Sequence, residues 1–181
     1  MTSTDTTNDR PATLGVSPQL MARAFAALRI FTGLVWLSNG LAKLTGVGNY
    51  DLGFFSFNLV TLPSAQFIAD DAAAKTAITP LAALYQNVVL PNWGLFGPFL
   101  TIAELAIGLG LIFGVASRFA AVGGLLLLAP IWVMLWDTGM YLWTYPAEDL
   151  FPLLLLVIVP AGRTAGFDGR LAARFGGRFP F

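Results

Sequence analysis

Along the chain, polar and apolar positions sort into a polar start, one long apolar run, a mixed aromatic stretch and three further apolar runs. Runs of this length predict membrane-spanning helices, which need about 20 largely apolar residues to cross the hydrocarbon. The first span is expected over about 21–44, entered at Pro18 and closed by Gly46-Val47-Gly48. The second covers about 95–117 with Glu104 as its only ionisable residue, and the third about 119–136 with Pro130 inside. The fourth, about 144–162, has a short apolar centre. It reaches spanning length only by taking in Glu148 and Asp149, with Pro146 in its first turn.

The rest of the chain is more polar. Residues 1–17 are small, polar and free of aromatics, which predicts a disordered tail. It is not a signal peptide, since the apolar run begins late and no small-residue cleavage site follows it. Residues 45–94 mix aromatics with Gly and Pro and carry Asp70, Asp71 and Lys75. They are expected to form an outer cap with one or two short amphipathic helices. The last residues, 166–181, are basic and predict an amphipathic stub. The whole is an all-α integral membrane protein, a four-helix membrane domain over 18–165 with an extracytoplasmic segment between helices 1 and 2.

Composition strengthens this. Of 181 residues, 56% are hydrophobic and 11% charged, too few charges to cover the surface of a soluble domain. The chain has no cysteine and no histidine. That excludes disulfides, iron–sulfur clusters, histidine-ligated haem, the usual zinc sites and hydrolases built on a histidine base. No metal or flavin is implied, and with no net charge there is no case for nucleic acid. The arginines fix orientation. Placing the N-terminus in the cytoplasm puts all eight of them inside and leaves Lys43 and Lys75 outside, so both termini are expected to be cytoplasmic. An excess of arginine over lysine with abundant alanine suits a bacterial plasma-membrane protein.

Few residues bear chemistry. A carboxylate within a span is costly unless paired, protonated or wet, so Glu104 reads either as functional or as polar glue. Asn39 and Lys43 lie four residues apart on one helix face, at a depth similar to Glu104, which predicts a cluster of the three. Arg29 either snorkels to the inner interface or meets an anion there. The outer aromatics, among them Trp136, Tyr141 and Trp143, form an interfacial belt or line a quinone ring site. Asp137 caps a helix or joins the Glu104 cluster. Gly33, Gly40, Gly110, Gly114 and Gly123-Gly124 are expected to let helices pack closely.

"RIFTGLVWLSNGLAKLTG", "NYDLGFFSFNLV", "AELAIGLGLIFGVASRFAA" and "VPAGRTAGFDGRL" together resemble the DoxX/DoxD family of small bacterial membrane proteins, from Arg29 to Leu171. The resemblance implies a four-helix bundle with cytoplasmic termini. It also implies a DoxD-like subunit passing electrons from thiosulfate to membrane quinone, with a second membrane or soluble subunit helping. Glu104 would relay protons, Lys43 would hold the sulfur–oxygen anion, and Asn39 would hydrogen-bond a quinone carbonyl. Trp36, Tyr141 and Asp137 would complete the site. The alternative is a non-catalytic anchor that gathers superoxide dismutase and a sulfurtransferase. Its inner face would use Arg29, Arg118, Asp168, Arg170 and Arg174. A small transporter, requiring oligomerisation, is a further possibility.

Overall fold

The computed structural model describes residues 17–136 and 149–181. Asp137, Tyr141, Trp143, Tyr145, Glu148, the N-terminal tail and the start of the fourth span lie outside these residues. The described chain is mostly helical. Helix α1 (Pro18–Thr45) starts at Ser17, whose hydroxyl accepts from the Leu20 N–H, and stops at Gly46 in the left-handed region. A hairpin follows, β1 (Asn49–Asp51) paired antiparallel with β2 (Ser56–Asn58), with Tyr50 stacked on Phe57 at 4.9 Å. The hairpin occupies the aromatic stretch expected to lie at the interface. Next come α2 (Leu62–Lys75) and α3 (Thr79–Leu84), the latter running into a π-turn at Tyr85–Val89.

Helices α4 (Trp93–Phe113) and α5 (Ser117–Leu135) are joined by a three-residue turn. Together with α1 they are long and apolar enough to cross a membrane. A stripe along α4, at Leu95, Phe99, Ile102, Leu109 and Phe113, stays exposed, and Phe31, Leu34 and Leu44 do the same on α1. Apolar surface of this extent has a bilayer as its solvent.

The fourth apolar run supplies α6 (Phe151–Ile158), a 3₁₀ turn (Ala161–Arg163) and then α7 (Asp168–Arg174). The helix ends at Ile158, short of the expected 162. Val159 precedes Pro160 and adopts an extended backbone, because the proline ring disfavours helical geometry in the residue before it.

Two apolar clusters hold the chain together. Trp36, Ile107, Leu111, Ala121, Leu153 and Leu156 join α1, α4, α5 and α6. Ala72 and Ala73 of α2 pack on Met134 and Leu135 of α5 and seat the cap on the bundle.

Candidate functional site

The α1–α4 seam places the site. Arg29, Gly33, Trp36, Gly40 and Lys43 recur at spacings of four and three along α1, and all are buried. Gly97, Thr101, Glu104, Gly108 and Leu111 repeat that spacing on α4. This is the register of two helices packed in a narrow seam. The glycines let the backbones touch: a Cβ at Gly108 would stand 2.6 Å from the Leu37 nitrogen, and one at Gly33 2.8 Å from the Ile112 nitrogen. Gly40 faces Leu105. The antiparallel register then sets Lys43 beside Glu104 and Arg29 beside the end of α4.

Lys43 Nζ lies 2.9 Å from Glu104 Oε2, with the two side chains 2% and 12% exposed. The same ammonium donates to the Val60 carbonyl at 3.0 Å, and the Val60 N–H donates to Asn39 Oδ1 at 2.9 Å. The strap between β2 and α2 is thus held at both backbone groups of Val60 by two side chains one turn apart on α1. Asn39 also donates to the Val35 carbonyl, so one amide N–H remains for any other partner.

Helix α4 begins eleven residues before Glu104, about 16 Å at 1.5 Å per residue, whereas α1 stops two residues after Lys43. This overhang, roofed by the cap, leaves a cavity of about 380 Å³. Its α4 wall runs Trp93, Phe96, Leu100, Glu104, one stripe of the helix, with Trp36, Asn39 and Lys43 opposite and Tyr85, Pro130 and Asp149 also on the wall. The walls are largely apolar. Burial raises the Tyr85 phenol above its ordinary value, which keeps it neutral. The Trp93 indole N–H is buried without a hydrogen-bond partner among the described residues. The π-turn exposes the Leu84–Val89 segment to this cavity on one side, a distortion that recurs at functional sites.

The opposite end of the bundle corrects two expectations. Arg29 does not snorkel: it is fully buried. Its guanidinium donates to the carbonyls of Leu111 and Ile112 (3.1 Å) at the end of α4, and of Ala165 (2.9 Å) and Thr164 (3.4 Å) in the C-terminal segment. Asp168 is also buried. Its carboxylate accepts from the Ala116 and Ser117 N–H groups (2.6 and 2.9 Å) and from the Ser117 hydroxyl (2.6 Å). A cation therefore sits on the carbonyl end of α4 and an anion on the amide end of α5, each complementing a helix dipole. Both are inaccessible to a partner protein, because backbone groups consume them. Arg118 Nε donates to the Val157 carbonyl and its guanidinium lies 4.5 Å from the Phe179 ring centroid. Arg170 and Arg174 are exposed.

Among the described residues, no cluster of acidic side chains has the grouping to hold a metal ion. Compared with protein-family models, curated proteins and solved structures, the chain matches none.

Sequence reasoning grouped Lys43 with Glu104 and expected close packing at Gly33 and Gly40, but missed that one continuous seam runs along α1 and α4 down to Arg29. The four-three spacing of Arg29, Gly33, Trp36, Gly40 and Lys43 was the signal that could have found it. It also missed Val60 and Tyr85, neither of which belongs to a recognisable motif.

Proposed function

We propose that the protein is the membrane subunit of a quinone-linked redox system of the DoxX/DoxD kind. In this reading the bundle has four spans. Both termini lie in the bacterial cytoplasm and the Glu104 cavity lies toward the outer leaflet. One observation carries it: an apolar, aromatic cavity of ligand size with a self-neutralising ion pair on its wall. A quinone head is planar, lipophilic and uncharged, and its carbonyls accept hydrogen bonds. The remaining N–H groups of Lys43 and the Trp93 indole are donors suited to them.

Charge limits what else fits. Glu104 cancels Lys43. A thiosulfate dianion brought here would be desolvated with no free cation among the described lining residues to hold it. Lys43 is therefore a hydrogen-bond donor, and thiosulfate is oxidised outside the cavity, on a second subunit. The balance is two thiosulfates, one quinone and two protons giving one tetrathionate and one quinol. Glu104, ionised while it pairs with Lys43, relays protons taken up one at a time from the aqueous side to the quinone oxygens, and the partner supplies the electrons.

The test uses membranes of a host lacking this chain, complemented by wild type or Glu104→Gln. Wild type restores thiosulfate-dependent quinone reduction. The variant, accumulated to the same level, loses at least about a hundredfold, the low end for removing a general acid. Equal activity in the variant rejects Glu104 as the proton carrier. No restoration by wild type rejects thiosulfate as the donor.

A further inference from the structure

A second cleft, of about 290 Å³, opens at the Arg29 end of the bundle, far along the seam from Glu104. Its walls are Ile112 and Phe113 from the last turn of α4 and Ala165, Gly166 and Phe167 from the bend before α7, with Arg170 at the rim. The walls are fixed. Phe167 N–H donates to the Phe113 carbonyl at 3.1 Å, Asp168 N–H to the Gly114 carbonyl at 2.7 Å, and Arg29 holds the Ala165 carbonyl from behind. The cleft is thus formed before any ligand arrives.

Three features define what it takes. First, the exposed stripe of α4 continues into it: Ile102, Leu109 and Phe113 lie along one face, and Phe113 and Phe167 are each about half exposed. The cleft is therefore continuous with surface that faces acyl chains. Second, Arg170 stands over the Phe167 ring, 5.7 Å from its centroid, with no ion-pair partner among the described residues. Third, nothing acidic opposes it among the described residues. Asp168 is the only acidic residue between 163 and 181, and its carboxylate is turned inward onto α5, whereas Arg163, Arg174 and Arg178 remain at the surface. Apolar side chains flush with the lipid-facing stripe, and at the mouth a guanidinium without an ion-pair partner among the described residues, match a molecule with chains below and phosphate above.

We propose that this cleft binds the phosphate headgroup of an anionic phospholipid. Arg170 takes the phosphate and Phe113 and Phe167 flank the upper part of the acyl chains.

The test is native mass spectrometry of the full chain in neutral detergent, titrated with phosphatidylglycerol, phosphatidylcholine or inorganic phosphate. Phosphatidylglycerol is retained about tenfold better than phosphatidylcholine, which offers Arg170 the same phosphate but sets a choline cation beside the guanidinium. Arg170→Gln removes that preference with an unchanged unfolding midpoint, because the side chain is exposed. Arg178→Gln, an equal loss of charge away from the cleft, keeps it. Equal retention of the two lipids overturns the proposal, as does a preference that survives Arg170→Gln. Equal effects of the two variants reduce it to diffuse surface charge. Competition by equimolar inorganic phosphate makes the site one for a soluble anion. Unchanged lipid retention in Arg170→Gln together with loss of a co-purifying soluble protein makes the face a protein dock instead.

Discussion

Replacing Lys43 with methionine removes the ammonium and keeps the length of the side chain. Glu104 is then left as a carboxylate with 12% exposure, and the Val60 carbonyl loses its donor. Breaking a buried pair from one side costs about 3–5 kcal/mol. The cavity beside Glu104 lets the carboxylate take up a proton or water, which places the expected loss near 3 kcal/mol, roughly a hundredfold in the unfolding equilibrium. The internal control is Lys75, paired with Asp71 at 2.7 Å on α2 but 58% exposed. Lys75→Met should cost about 0.3–0.5 kcal/mol. Denaturant unfolding in mixed micelles, followed by circular dichroism, measures both. Adding Glu104→Gln to Lys43→Met should return about half of the loss, because the second change removes the stranded charge. Equal midpoints for Lys43→Met and Lys75→Met would refute the reasoning. A double variant whose losses simply add would do the same.

Three other perturbations follow from the geometry. Arg29→Met leaves the carbonyls at the end of α4 and in the 164–165 bend without donors and should cost about 3 kcal/mol or more. Arg29→Lys should recover little, since one ammonium cannot fork between α4 and the 164–165 bend, and unfolding midpoints in detergent compare the two. Gly108→Ala drives a Cβ against the Leu37 backbone and should destabilise by about 1–3 kcal/mol, whereas Gly94→Ala meets open space and should leave the unfolding midpoint level or slightly higher. Asp168→Asn keeps an acceptor but loses the charge at the start of α5, for about 1–2 kcal/mol. Trypsin should then cut at Arg170 and Arg174 severalfold faster than in wild type, and unchanged cleavage would contradict the clamp.

The three long helices were legible because unbroken apolar runs bounded by Gly and Pro leave little else to form. Their ends were less so. The second span was expected to continue to Ser117, but Gly114 turns left-handed and stops α4 at Phe113, inside an apolar stretch that shows no polarity change. The pairing of Lys43 with Glu104 was readable from depth alone, since both partners are side chains on regular helices. Arg29 and Asp168 were not, because their partners are backbone carbonyls and amides up to 136 residues away, and sequence displays charges but not backbone groups. The partner of Asn39 escaped for the same reason: it is the Val60 N–H, on a strap whose path no periodicity announces. The hairpin was missed because each strand has three residues, too short to establish an alternating pattern.

The central claim is that the cavity between the overhang of α4 and the cap receives a quinone head. Photolabelling with an azido-quinone in native membranes, followed by peptide mapping, tests it most directly. The account predicts saturable labelling at Tyr85, Trp93, Phe96, Leu100, Leu127, Leu128 and Ile131, blocked by excess unlabelled quinone. Label that does not saturate, or that falls on the lipid-facing stripe at Leu95, Ile102 and Leu109, would contradict it.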